Sequence, residues 1–191
     1  MPRPDDVLRF WLDEVGPDGW YVADDALDAT IRDGFGALVD RAADGGHCDW
    51  ATTPRTALAY LVVADQFSRN VHRGDGRAYA ADRWARAIAK LALRLGWDMA
   101  VPEPGRQFFY LPLMHAESLQ DQERGVRLIL LRMPRTGAQN LLHARAHREV
   151  IRRFGRFPHR NADLGRATTA AEAAFLDQGG YGGVVRRLQE G

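Results

Sequence analysis

The chain has 191 residues, of which 46% are hydrophobic and 27% are charged, and this composition predicts one soluble globular domain over residues 1–191. Its formal net charge of +1 excludes a bulk electrostatic field that would attract nucleic acid or an anionic membrane. A single cysteine, Cys48, excludes an internal disulfide, and no apolar run reaches membrane-spanning length, so we expect a cytoplasmic protein with no membrane partner.

Apolar residues recur at spacings of three and four along the first half of the chain, which is the periodicity of amphipathic helices. Asp24 is a suitable N-cap for one of these helices, and the Gly45-Gly46 pair ends it. Thr53-Pro54 places a capping residue before a proline at the first position of the next helix. The sequence therefore predicts helices over residues 5–12, 24–45, 54–69 and 77–95.

The second half begins with a proline-rich connector, MAVPEPG (99–105), and then returns to helical spacing. Within FFYLPLMH, Pro112 either starts a helix or kinks one. Thr169 and Glu172 form a capping box that opens a C-terminal helix. Further helices are predicted over residues 118–133 and 138–154. Because no segment alternates convincingly with a period of two, we predict an all-α fold of about seven to eight helices.

Polar side chains continue the apolar stripe of three predicted helices, at positions that should face the protein core. A buried polar group without a partner costs roughly 1–3 kcal/mol, so these side chains should contact one another or line a cavity. The residues are Asp65 and Arg69 in helix 54–69, Gln122 and the preceding His115 for helix 118–133, and His143 and His147 in helix 138–154.

The segment FGRFPHRN (154–161) combines aromatic and polar residues at the end of a predicted helix. Pro158 stops the helix from continuing, and Phe154 and Phe157 can anchor the loop by burial. The polar residues Arg156, His159, Arg160 and Asn161 would then form one wall of the polar cavity.

Several longer motifs together resemble a known family. They are DQFSRN (65–70), FFYLPLMH followed by Glu117, Gln122-Glu123, and HREVIRRFGRFPHRN…LGR (147–166). The chain resembles, over almost its whole length, the uncharacterised domain-of-unknown-function family 924 of bacteria and fungi. The resemblance implies an all-α, TPR-like superhelical or bundle fold and no particular activity. The sequence departs from the family pattern at Ala116 and Gly125, where serine is common, and His143 matches no family motif position.

Metal binding and acid–base catalysis are two interpretations of the polar residues. His143 and His147 have the i, i+4 spacing of helical metal ligands, but HExxH is missing and so are the Glu-x-x-His pairs of di-iron bundles. We therefore predict no metal and no cofactor. Carboxylates and histidines near arginines could instead bind an anion and exchange protons with it, although the sequence contains no nucleophile elbow, P-loop or dinucleotide fingerprint.

Two other interpretations involve no reaction. Polar residues can form a buried network that only fixes how the helices pack, and such networks resemble active sites. TPR-like folds often present a groove to a protein or peptide, so an interaction scaffold is the alternative function. Binding of RNA is disfavoured by the near-neutral charge.

The prediction drawn from these patterns is a polar cavity, near helices 54–69, 118–133 and 138–154, that binds a small anionic molecule, with any acid–base reaction left open. A protein partner is the alternative, and no nucleic-acid partner is expected. The candidate catalytic residues are Asp65, Glu117, His115, His147 and His159. The candidate ligand-binding residues are Arg69, Asn70, Gln122, Arg156, Arg160, Asn161 and Arg166.

Overall fold

A computed structural model describes residues 1–190, and within that range every regular element is helical. The prediction of an all-α fold is therefore confirmed. The chain divides into two compact units, unit 1 (Met1–Pro112) and unit 2 (Leu113–Gly191, described to residue 190). The single-domain assignment stays a prediction. No helix within residues 1–190 is both long enough and apolar enough to cross a membrane.

Unit 1 begins its helices at the capping signals seen in the sequence. Asp24 accepts hydrogen bonds from the backbone N–H groups of Ala26 and Leu27, and Thr53 forms a reciprocal cap with Thr56. Short 3₁₀ turns connect several of the helices. The α-helices are α1 (Pro4–Leu8), α2 (Gly16–Gly19), α3 (Asp25–Ala43), α4 (Pro54–Leu61), α5 (Ser68–Val71) and α6 (Asp82–Arg94).

Two segments of unit 1 are wound as π-helix, where each turn holds more residues than in an α-helix. One segment, Arg9–Val15, follows α1, and the other, Val62–Phe67, joins α4 to α5. The helix predicted over residues 54–69 is thus a continuous helical run through Val71 with a π-helical middle. Asp65 lies in that middle and is 1% exposed, as the apolar stripe predicted.

An aromatic cluster forms the core of unit 1. The Trp11 and Phe67 rings meet edge to face with centroids 5.3 Å apart, and Phe35 lies 5.0 Å from Phe67. Trp20 packs on Phe108 at 4.8 Å and donates its indole N–H to the Trp11 carbonyl at 2.7 Å. Because burying one such ring contributes about 1.5–3 kcal/mol, these contacts hold the two π-helical segments against α3 and the Phe108 segment.

Unit 2 follows the predicted helix pattern closely, with one exception at its end. Pro112 is the second residue of a short helix, so it starts a helix and does not kink one. The predicted C-terminal helix is instead two helices, separated where Gly179 and Gly180 adopt positive φ angles of 93° and 51°. Helix α7 (Leu111–Met114) spans the boundary in the chain between the two units, and the helices of unit 2 are α8 (Leu119–Arg132), α9 (Ala138–Phe154), α10 (Ala170–Asp177) and α11 (Gly180–Glu190).

The core of unit 2 lies between α9, α10 and α11. Its buried members are Ala146, Val150, Ile151, Phe157, Phe175 and Val184. Phe157 belongs to none of these helices but to the FGRFPHRN segment, which it fixes against them. This arrangement matches the predicted role of the aromatic residues in that segment.

Candidate functional site

The FGRFPHRN segment is held by its own backbone as well as by Phe157. Helix α9 ends at Phe154 because Gly155 adopts a φ of 71°, a left-handed conformation that favours glycine. The chain then extends through Phe157, whose side chain is fully buried, and turns through a 3₁₀ helix, Pro158–Arg160. The segment therefore has one fixed conformation from which its polar side chains project.

Glu117 and Arg166 form a two-pronged ion pair beside this segment. The arginine NH1 and NH2 atoms donate to the two carboxylate oxygens at 2.6 and 2.9 Å. The backbone N–H of Phe157 donates to the same carboxylate at 2.8 Å, and Arg166 also donates to the Phe157 carbonyl at 3.1 Å. Partial burial alone would raise the pKa of Glu117, but the hydrogen bonds from Arg166 and Phe157 outweigh it and lower the pKa.

Glu172 makes a second ion pair, with Arg156. The Arg156 Nε and NH2 atoms donate to its carboxylate at 2.6 and 2.8 Å. The same carboxylate caps α10 by accepting the Thr169 N–H at 2.8 Å, and the Asn161 amide lies 3.4 Å away. These hydrogen bonds, above all those from Arg156, lower the pKa of Glu172. Arg156 and Arg166 are thus both held by glutamates, an arrangement that fixes the loop.

Four polar side chains around Phe157 form what we call the histidine cluster: His115, His147, His159 and Arg160. The His147 ring meets the His115 ring at 5.9 Å and the Phe157 ring at 5.3 Å. The Arg160 guanidinium lies over the Phe157 ring at 4.4 Å and donates to the His115 carbonyl at 3.1 Å. Arg160 is 6% exposed, so its charge acts in surroundings with little water.

His147 is the member of the cluster with an unused polar atom. Its Nδ1 atom is buried and makes no hydrogen bond to any of the described residues. Burial of the ring, together with the nearby His115 and Arg160, lowers the pKa of His147 well below its ordinary value. At neutral pH the side chain is therefore an uncharged imidazole whose Nδ1 can donate or accept a hydrogen bond, according to the tautomer, and can take up a proton when it is the bare nitrogen.

Tyr181 stacks on His147 and connects it to a further histidine. The two rings lie 4.7 Å apart at 21°, and the Tyr181 hydroxyl is 2.5 Å from His143 Nδ1. Burial raises the pKa of Tyr181 and lowers that of His143. The hydroxyl therefore stays protonated and is the donor to an uncharged His143. The imidazole–phenol pair extends the cluster along α9.

Unit 1 contains a separate polar network made of the remaining predicted residues. Arg69 NH1 lies 3.3 Å from Asp65 Oδ1, and NH2 donates to both oxygens of Asp82 at 3.0 and 3.1 Å. Asn70 donates to Asp28 at 2.8 Å, and this carboxylate also accepts two hydrogen bonds from Arg73 at 2.7 and 2.9 Å. Asp65 and Arg69 thus have partners of opposite charge, and the Asn70 amide is bound to a carboxylate.

No three His, Cys, Asp or Glu side chains among residues 1–190 are arranged to hold a metal ion. The rings of His143 and His147, which have metal-ligand spacing in the sequence, are both near-parallel to the Tyr181 ring, with centroids 6.0 and 4.7 Å from it.

Comparison with known proteins gives the chain a family. The family described as "Bacterial protein of unknown function (DUF924)" matches residues 7–180. The chain belongs to this family. It is also similar to a solved structure, the protein of unknown function ATU0120 from Agrobacterium tumefaciens, at 40% identity over 92% of this chain and 97% of that chain, with a TM-score of 0.84. A search of curated proteins gave no match. The TPR-like form of the fold stays a prediction.

This member of the DUF924 family places nine of the twelve predicted site residues in unit 2 and three in unit 1. Those of unit 2 surround or support the FGRFPHRN segment, except Gln122. Gln122 donates to the Met114 and Ala116 carbonyls at 2.6 and 2.8 Å and so holds the turn before α8. The three residues in unit 1 are Asp65, Arg69 and Asn70.

Two residues of the candidate site in unit 2, Tyr181 and Glu172, were not among the site residues predicted from the sequence. Tyr181 lies between glycines in a GGYGG stretch, which carries no helical stripe from which an inward position could be read. Glu172 was predicted as a capping residue, but no sequence pattern indicated that Arg156 would pair with it. A surplus of arginine in the loop was the available signal, because buried arginines require acceptors.

Proposed function

We propose that unit 2 binds a small anionic ligand, a carboxylate or a phosphate, at the histidine cluster. The observation that supports this proposal most directly is the buried Nδ1 atom of His147, which has no hydrogen-bond partner among the described residues. A buried nitrogen without a partner costs free energy, and a ligand that bonded to it would recover that cost.

The charges around Phe157 support an anion over a cation. Arg160 is positive and largely buried, and three imidazoles that can become positive lie near it. Of the nearby carboxylates, Glu117 and Glu172 are already occupied by Arg166 and Arg156, and Asp163 acts on His159 from outside these pairs. Planar carboxylate and phosphate groups suit a guanidinium flanked by imidazole N–H donors.

Binding of an anion should be coupled to uptake of a proton. The pKa of His147 is well below its ordinary value, and the pKa of His159 is lowered to about 4 by the loss of surrounding water and by Arg160. A negative ligand would favour the protonated imidazole and so raise these pKa values. Affinity is therefore expected to increase as the pH falls from about 7 towards 5, a range below the ordinary histidine pKa and above the value of about 4 for His159. A histidine that takes up a proton in this way is also a candidate general base, which is the acid–base part of the proposal.

The second candidate is a scaffold for a protein partner. Leu130 and Leu131 are 53% and 69% exposed at the end of α8, and adjacent exposed leucines can contribute to a protein contact. A cytoplasmic location belongs to both candidates and is tested by cell fractionation.

A ligand screen tests the anion proposal first. Thermal unfolding would be followed with inorganic phosphate, acetate, citrate and a nucleoside monophosphate. A ligand at 100 times its Kd adds about 2.7 kcal/mol, which raises the Tm by roughly 5–10 °C for a chain of this size. The absence of any shift, together with capture of a defined protein partner that Leu131→Lys abolishes, would favour the scaffold.

Calorimetry with matched variants then locates the site. For the anion that binds, Arg160→Gln should weaken binding roughly 10- to 100-fold, because a charge-assisted hydrogen bond is removed. His147→Gln should reduce the proton uptake measured in buffers of different ionisation enthalpy. Arg152→Gln is the control, since Arg152 is an exposed arginine on α9, the helix that carries His147, and pairs with Glu123 at 2.9 Å. Equal affinity in all three variants would overturn the proposal.

A further inference from the structure

Unit 1 contains a cavity that the proposed anion site does not use. Its volume is about 510 Å³, within the range of about 300–1,000 Å³ that small-molecule sites occupy. It lies between α1, the Arg9–Val15 π-helix, the start of α4 and the MAVPEPG connector (99–105).

The floor of this cavity is apolar and is formed by side chains that are buried in the core of unit 1. Leu8, Leu58 and Trp20 line it and are 2%, 2% and 6% exposed. The Trp20 indole N–H is already bonded to the Trp11 carbonyl, so the ring presents an apolar face to the cavity. Prolines of the connector supply a further apolar wall. Such a surface favours a hydrocarbon or aromatic group that displaces water from it.

The mouth of the cavity carries an excess of negative charge. Asp13 lines it, is exposed, and has no ion-pair partner among residues 1–190. Arg55 is the basic residue of the lining, and its Nε atom is bound to the Asp5 carboxylate at 2.6 Å. With Arg55 neutralised by Asp5, the charge at the mouth is negative.

We propose that this cavity binds a hydrophobic amine, with the apolar part of the molecule against Leu58 and Trp20 and the ammonium group near Asp13. The inference concerns unit 1 alone and does not depend on the anion site of unit 2. A positively charged, apolar small molecule fits because the cavity combines an apolar floor with the Asp13 carboxylate at its mouth.

Three fluorescent probes with the same apolar group and different charges test the inference. They are dansylcadaverine, which is cationic, dansylamide, which is neutral, and dansylglycine, which is anionic. Dansylcadaverine should bind about two- to five-fold more tightly than dansylglycine, the effect of about one exposed charge interaction. Asp13→Asn should remove most of that preference, whereas Asp18→Asn, a nearby exposed carboxylate outside the cavity, should leave it unchanged.

A blocking variant shows whether the probes occupy the cavity. At Gly105 an added Cβ would lie 3.6–3.8 Å from Val101 and Leu12 side-chain atoms, which is ordinary contact, so Gly105→Val puts a side chain into the cavity without a clash at Cβ. It should abolish binding of all three probes, and Leu12→Trp is the second blocking variant if the first does not fold. The inference would be overturned if a probe still bound to the folded blocking variant, if the three probes bound with equal affinity, or if dansylglycine bound most tightly. A dimer that kept every probe out of the cavity would also overturn it.

Discussion

Replacement of Phe157 by alanine tests whether this ring anchors the candidate site. The ring is fully buried, with His147 at 5.3 Å, His159 at 5.6 Å and Arg160 at 4.4 Å. Phenylalanine-to-alanine changes in cores cost about 3–5 kcal/mol. Loss of the cation–π contact with Arg160 adds about 0.5–2 kcal/mol, whereas the backbone bonds to Glu117 and Arg166 remain. We therefore expect the free energy of unfolding to fall by about 4 kcal/mol.

Phe154 provides a matched control three residues earlier in the same segment. Its ring is half-buried, 4.9 Å from Phe175 and 5.0 Å from the Arg153 guanidinium. Because less apolar area is lost there, Phe154→Ala should cost about 2 kcal/mol or less.

Urea unfolding, followed by far-UV circular dichroism, measures both variants against the parent protein. The urea midpoint of Phe157→Ala should be lower than that of Phe154→Ala, with similar slopes for the two variants. In any fraction that remains folded, Phe157→Ala should also weaken anion binding, since Arg160 loses the ring on which it lies. Equal costs for the two variants, or a cost below about 1 kcal/mol for Phe157→Ala, would refute the anchoring role.

Two further predictions concern stability. Because His147 and His159 have lowered pKa values, the unfolded chain binds protons below pH 6.5 that the folded chain does not, so the free energy of unfolding should fall from pH 7 to pH 5. Urea unfolding at the two pH values measures this slope, which His147→Gln should reduce, and a steeper slope in that variant would contradict the assignment. In unit 1, Asp28→Asn should cost about 2 kcal/mol because Arg73 and Asn70 lose a charged acceptor, whereas Asp75→Asn, at an exposed pair, should cost about 0.5 kcal/mol or less in the same assay.

Features that depend on a few neighbouring residues could be predicted from the sequence. Asp24, Thr53 and Thr169 begin helices as expected, because a capping hydrogen bond spans only two or three residues. The inward positions of Asp65 and Gln122 also followed from helical spacing, and both are 1% exposed.

Features that depend on contacts distant in the chain could not be predicted in the same way. The partners of Arg156 and Arg166 are 16 and 49 residues away, and nothing in local spacing selects them. The π-helical turns had no sequence signal either, since one extra residue per turn changes which side chains face inward only once the turn has formed. The cavity arises where the MAVPEPG connector meets several helical segments, so the apolar pattern of each segment alone did not indicate it.

The break at Gly179 and Gly180 has a practical consequence for studies of relatives. It turns the chain so that Tyr181 stacks on His147, yet the family match ends at residue 180. A search or an expression plan that follows the family boundaries would retain every histidine of the cluster and discard the aromatic ring that covers one of them. Relatives chosen for assay should therefore be compared beyond that boundary, because the residue at this position decides whether the imidazole has a phenol beside it.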